Sequence, residues 1–150
     1  MIDQALRIYL LSKTQIVAAV GGRIHVGDFV PLAKTDLPAI GIETQPFEKD
    51  QMIDGTPWPL QFPEFDIVVK ALQFSTAVTV CELVEKAFRA IPFGTTVNVP
   101  SNGATIAVPI VQVDINGQWN EKEEDHGHAL AVKPRILKIK VGWNEPTDTI

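Results

Sequence analysis

The chain has 150 residues, 45% hydrophobic and 21% charged, with a formal net charge of -5, a composition that fits one domain with a substantial core and argues against disorder or a fibrous repeat. The acidic balance argues against a chain built mainly to hold nucleic acid, because neutralising phosphates needs a clustered surplus of Lys and Arg. No apolar stretch approaches the roughly 20 residues of a membrane helix and Met1-Ile2-Asp3 does not open like a signal peptide, while Cys81, the single cysteine, excludes an internal disulfide or a cysteine-based zinc cluster and fits a reducing compartment.

From Ile2 to Val20 the apolar residues Ile2, Leu6, Tyr9, Leu10, Ile16, Val17 and Val20 fall at helical spacing, opposite Asp3, Gln4, Arg7, Ser12 and Gln15. This predicts one helix, stopped by Gly21-Gly22, since glycine takes up the left-handed conformation without a Cβ clash. Arg23 to Val26 is a short extended segment, followed by a loop containing Pro, Gly and Asp that reaches Leu37-Pro38. Ile40, Ile42 and Thr44 then alternate with Gly41, Glu43 and Gln45, the period of a strand with one buried face.

Residues 46 to 64 break that pattern with Pro46, Pro57, Pro59 and Pro63 and with Gly55. Proline cannot donate to a sheet ladder, so a long loop or protruding arm is expected here. The clearest strand follows, with Phe65, Ile67, Val69 and Ala71 alternating against Glu64, Asp66, Val68 and Lys70.

Ala77 to Ile91 predicts the second helix. Ala77, Val80, Cys81, Val84, Ala87, Phe88 and Ile91 form its apolar stripe, Glu82–Lys86 and Glu85–Arg89 are favourable i,i+4 pairs, Ser75 or Thr76 is placed to cap its start, and Pro92 limits its end. Val97–Val99 and Thr105–Val108 flank Pro100-Ser101-Asn102-Gly103, where Asn-Gly supplies the positive φ angles of a tight hairpin. Val111, Val113 and Ile115 continue as a strand, Asn116 to His128 reads as a polar loop, and Leu130 to Trp143 as a final strand in which Pro134 marks a bulge or an exposed edge.

The expected architecture is α+β in a single domain spanning 1–150. An antiparallel or mixed sheet carries two amphipathic helices on one face, with an extra β-hairpin and a Pro-rich arm. There is no repeat of 20 to 50 residues.

Chemistry is hard to find. Glu121, Glu123, Glu124, Asp125, His126 and His128 are of types that ligate divalent ions, but the two histidines have no third partner at fixed spacing, so a solvated loop with no metal is expected. His25 and Cys81 could pair as base and nucleophile only if the fold brought them together. Cys81 lies on an apolar stripe and reads as a buried thiol. Ser101 is not in a Gly-x-Ser-x-Gly elbow, and Gly21-Gly22-Arg23 ends a helix instead of opening one, so it lacks the helix N-terminus that cradles phosphate. No catalytic residue and no cofactor are expected.

What stands out instead is apolar surface in polar segments. Phe47, Trp58, Leu60 and Phe62 lie in the Pro-rich arm, Trp119 borders the charged segment, and Glu121, Glu123 and Glu124 follow it. Exposed aromatics rimmed by polar groups suit a protein interface. The arm could equally fold back on its own subunit.

Val20-Gly21-Gly22-Arg23-Ile24 after a first helix, Leu37-Pro38-Ala39-Ile40 entering a strand, Phe65-Asp66-Ile67-Val68-Val69 before an amphipathic helix, and the closing Arg135-Ile136-Leu137-Lys138-Ile139-Lys140-Val141 together resemble the tail completion, or tail terminator, proteins of tailed phages. The resemblance covers about residues 2 to 143. The segment from Pro46 to Pro63 and the hairpin at Asn102-Gly103 are longer than the family pattern. The resemblance implies a structural virion subunit of the tail or neck, assembled in the host bacterial cytoplasm. Its copies would form a hexameric ring that caps the tail tube protein and docks the head connector, with no membrane and no specific nucleic-acid binding, although DNA passes through the ring. A head-tail connector, or neck, protein is the nearest alternative, and a small-ligand-binding or enzymatic domain using His25, Cys81 or the His126 segment is a third.

Overall fold

The computed structural model describes residues 1–46, 60–125 and 130–144. The chain runs through α1 (Ile2–Leu11), α2 (Thr14–Val20), β1 (Ile24–Val26), a 3-10 turn at Lys34–Asp36, β2 (Ala39–Thr44), β3 (Leu60–Gln61), β4 (Glu64–Ala71), α3 (Phe74–Arg89), β5 (Thr95–Ser101), β6 (Ala104–Asn120), β7 (Glu124–Asp125) and β8 (Ala131–Asn144). The sheet order is β1-β2-β4-β8-β6-β5, with β3 and β7 each pairing with β8. β1 is parallel to β2 and the other pairings are antiparallel. The fold is therefore α+β with a mixed sheet.

The predicted alternations decide which face is covered. Phe65, Ile67, Val69 and Ala71 of β4, Ile40 and Ile42 of β2, and Leu137, Ile139, Val141 and Trp143 of β8 form one buried cluster with the apolar stripes of the helices. Burying such aliphatic side chains contributes about 1.5–3 kcal/mol each before the loss of conformational freedom is subtracted. α1 and α3 are tied together by Tyr9, whose hydroxyl donates to the Ala87 carbonyl at 2.6 Å and whose ring stacks on Phe88 at 6.0 Å.

The single first helix predicted over 2–20 is two helices. Ser12 turns its hydroxyl back onto the Tyr9 carbonyl at 2.5 Å, and Lys13 is extended at φ -95 and ψ 111. The break lets the stripe re-phase: Ile16 and Val20 return to the core after Leu11 without an apolar residue between 12 and 15. Gly21 ends α2 at φ 62 with its N–H on the Val17 carbonyl at 2.7 Å, the left-handed stop that the glycine pair predicts.

α3 begins at Phe74, three residues early, and neither Ser75 nor Thr76 caps it. The N-cap is Gln73, with no side-chain cap bond, and Ser75 already lies in the first turn with its hydroxyl 3.5 Å from Gln73 Oε1. The Glu85–Arg89 pair forms at 3.6 Å. The Asn-Gly hairpin forms as expected, with Asn102 at φ 48 and Gly103 at φ 79 joining β5 to β6.

Three polar segments are more ordered than the sequence suggests. Leu60 and Gln61, at the end of the Pro-rich segment, pair with Asn144 and Trp143. Residues 116–120, expected in a loop, continue β6 past a bulge between Ile115 and Gly117, and Gly117 at φ 131 makes that bulge. Glu124–Asp125 add β7 against Val132 and Ala131. Pro134 lies in the central strand β8 opposite Lys70, at neither an edge nor a bulge. Its carbonyl accepts the Glu121 N–H at 2.9 Å, one residue past the last β6 pair at Asn120–Arg135. In an extended chain a residue's N and C=O point to the same neighbour, so the missing donor falls where the regular ladder has ended.

Candidate protein-interaction surfaces

The face of the sheet away from the helices is lined by the other members of each alternation: His25, Gly41, Glu43, Asp66, Val68, Lys70, Ile136, Lys138 and Lys140. Part of it is roofed. The segment from Gly27 to Leu37 crosses it, laying the Phe29 ring over Gly41 and against His25 at 4.6 Å, and a second small core gathers Leu37, Ala39, Leu130 and Val132 beside Phe29.

Lys70 holds this roof. It is 3% exposed, and its Nζ donates to the Phe29 carbonyl at 2.8 Å, lies 3.4 Å from Asp28 and 3.1 Å from Glu124, and sits 4.8 Å over the Phe29 ring. One ammonium thereby joins the loop after β1 to the β7 segment. Around it the carboxylates are crowded. Burial, then the neighbouring Asp28 charge, pushes the Glu43 carboxyl above its ordinary range, with Lys70 opposing. Burial also pushes Asp66 up, against the pull of Lys138.

The proposed interface residues are dispersed. Leu60 is half-buried in β3. Phe62 is partly exposed and packs closely against Gly142, with Lys140 Nζ 6.0 Å from its ring. Trp119 is 40% exposed in β6, with its indole N–H donating to Glu121 at 2.6 Å. Glu123 pairs with Lys133, and Glu124 with Lys70. Phe47, Trp58, His126 and His128 lie outside the described residues. Trp119, Glu121 and Glu124 thus share the uncovered sheet face near Lys70, while Phe62 occupies its opposite end beside Gly142.

On the helix side, Arg135 donates to Gln118 at 2.6 Å and to Asn120 at 2.7 Å, and Gln118 donates to Glu85 of α3 at 3.3 Å. This chain of contacts fixes the end of α3 to the extension of β6. It explains why polar residues continue that strand.

Catalytic pairing of His25 with Cys81 is not built. Cys81 is fully buried on α3 under the helix-covered face, whereas His25 lies on the other face. Burial pushes the thiol up to about 11, a setting opposite to that of a nucleophile. Among the described residues no three His, Cys, Asp or Glu side chains are grouped to hold a metal ion, and no helix is long and apolar enough to cross a membrane. A cleft of about 310 Å³ between the α1–α2 junction and α3 includes Lys13, Ile16, Leu83 and Lys86, and neither His25 nor Cys81 lines it.

The two most exposed large apolar side chains among the described residues were not singled out in the sequence. Leu32 is 87% exposed and Phe93 is 81% exposed. Each sits next to turn formers, in Val30-Pro31-Leu32 and in Pro92-Phe93-Gly94, and an apolar side chain beside Pro or Gly is the signal that could have marked them.

No family model matches the sequence, and no curated protein is similar to it. Among solved structures, the chain is similar to a chain in the virion of a native gene transfer agent particle, with 15% sequence identity, 95% of this chain and 94% of that chain covered, and a TM-score of 0.51. At that identity the likeness is one of fold.

Proposed function

We propose that this chain is a structural subunit of a phage-like virion, and within it a tail terminator whose copies close into a ring on the finished tail tube. The observation that carries the reading is the likeness in fold to a virion chain over 95% of this chain and 94% of that one, which is a likeness of whole subunits. The buried thiol and the separation of His25 from Cys81 are consistent with a role that needs no chemistry. Function then rests on surfaces: ring closure through cyclic symmetry, and coverage of tube-subunit surface that would otherwise recruit more tube protein. The acidic net charge of -5 suits a lumen through which DNA moves without adhering.

Electron microscopy of particles assembled without the protein tests this reading. Overlong tails are expected, because elongation would lack its stop. Separated heads with tails of normal length would instead assign a neck role, and normal particles would refute a place in the virion altogether.

A further inference from the structure

We propose that the cleft between the α1–α2 junction and α3 docks an acidic segment of a partner protein, with Lys13 and Lys86 receiving its carboxylates and one of its apolar side chains resting against Ile16, Leu83 and Ala87. This site goes beyond the ring reading above and does not depend on it.

Charge points to the occupant. Across the chain acidic residues outnumber basic ones by 18 to 13, yet two lysines and no carboxylate line this cleft of about 310 Å³. Neither ammonium has an ion-pair partner among the described residues. Glu82 stands one turn before Lys86 on α3 and does not close on it, whereas Glu85 takes Arg89 at 3.6 Å. Lys70 shows the contrast: where the fold uses a lysine for its own cohesion, it brings Asp28 and Glu124 to the ammonium. At the cleft the subunit brings none, which leaves two cations complementary to an acidic partner.

The site is already assembled. The Tyr9 hydroxyl donates to the Ala87 carbonyl at 2.6 Å, tying α1 to α3, and the Ser12 hydroxyl turns back to the Tyr9 carbonyl at 2.5 Å where α1 breaks. Lys13 Nζ lies 4.7 Å from the centre of the Tyr9 ring, a contact that restricts the ammonium before any partner arrives. Ile16 and Ala87 are buried and Leu83 is half-buried, so the cleft offers apolar contact as well as charge. A preformed cleft needs little ordering on binding. Its size, at the low end of the roughly 300–1,000 Å³ of ligand clefts, suits a short segment rather than a folded domain. A nucleic acid fits less well. Two cations on a chain of net charge -5 fall short of the clustered surplus that phosphates require, and the apolar lining would go unused.

Fluorescence anisotropy with short labelled peptides tests the inference. One set carries Asp and Glu around a single Leu, Ile or Phe, a second has Ser at the apolar position, a third has Lys in place of the acids, and a DNA duplex completes the series. The first set should yield binders that salt weakens. Lys13→Gln and Lys86→Gln, with circular dichroism verifying their fold, should weaken those binders roughly 3- to 5-fold each and about 10- to 25-fold together. Amide signals of Thr14, Leu83 and Ala90 should shift in an NMR titration with the tightest peptide. No binder in the first set, binding that survives the double variant, or equal binding of any other set or of the duplex overturns the inference. None of these outcomes touches the ring reading, which the length of tails assembled without the protein decides separately.

Discussion

Replacing Lys70 by Met keeps an unbranched apolar stem beneath the roof of the uncovered sheet face and removes only the charge. The Phe29 carbonyl then loses a charged donor at 2.8 Å, a bond worth about 1.5–3 kcal/mol. The cation over the Phe29 ring contributes about 0.5–1 kcal/mol. The two carboxylate partners add little, since the Asp28 side chain is 70% exposed and that of Glu124 is 35% exposed, and exposed ion pairs contribute about 0–1 kcal/mol. The expected loss is about 3 kcal/mol, which for a domain of this size lowers Tm by roughly 6–12 °C.

The loss should also depend on pH. Glu43 already holds its proton more tightly folded than unfolded, mainly through burial, and Lys70 opposes that shift. With Lys70 gone the Glu43 carboxyl rises further, so ionising it penalises the folded state more, and acidification through the raised value removes that penalty. The deficit of the variant should therefore shrink between about pH 8 and about pH 5. Urea titrations of wild type and Lys70→Met at both pH values measure it. A deficit below about 0.5 kcal/mol, within the range of an ordinary surface substitution, or one that grows on acidification, would refute this account of Lys70.

Phe88→Ala, at a fully buried ring that stacks on Tyr9, should destabilise the chain by about 3–5 kcal/mol in denaturant titration. Gly142→Ala would place a Cβ 2.9 Å from Phe62 Cε1 and should cost about 1 kcal/mol, because the partly exposed ring can swing aside only by giving up its contact. In a Phe62→Ala background the same change should become neutral or stabilising, and a double-mutant cycle in urea reads that coupling. With its thiol pushed up to about 11 and no exposure, Cys81 should resist a thiol reagent at about pH 8 in the folded chain and react at once in urea; rapid labelling of the native protein would contradict its burial.

Much of the layered core was legible in one dimension, and the reason is geometric. A period of two along Phe65–Ala71 and Leu137–Trp143 assigns each side chain to a face before any neighbour is known, and the stripe from Ala77 to Phe88 supplies the helix that covers one of them. Element ends were less legible. Gln118, Asn120 and Glu124 carry no apolar period, and they extend or add strands because Arg135, Glu85 and Lys70 meet them across the fold. The first helix breaks at Lys13 for a similar reason: two helical turns reach the core in different phases, and only the sheet beneath them sets those phases.

The candidate surfaces divide the same way. Trp119 and Phe62 could be marked from sequence as aromatics in polar company, whereas Leu32 and Phe93 had only their turn-forming neighbours to mark them, because hydrophobicity alone does not say which apolar residues find a neighbour. By itself the sequence determined the α+β class, the two apolar stripes and the faces of the long strands, since these follow from local periodicity. Only the tertiary structure decided that β1 joins in parallel, that Lys70 gathers two distant segments, and that Leu32 and Phe93 are left exposed, because each depends on contacts between residues far apart along the chain.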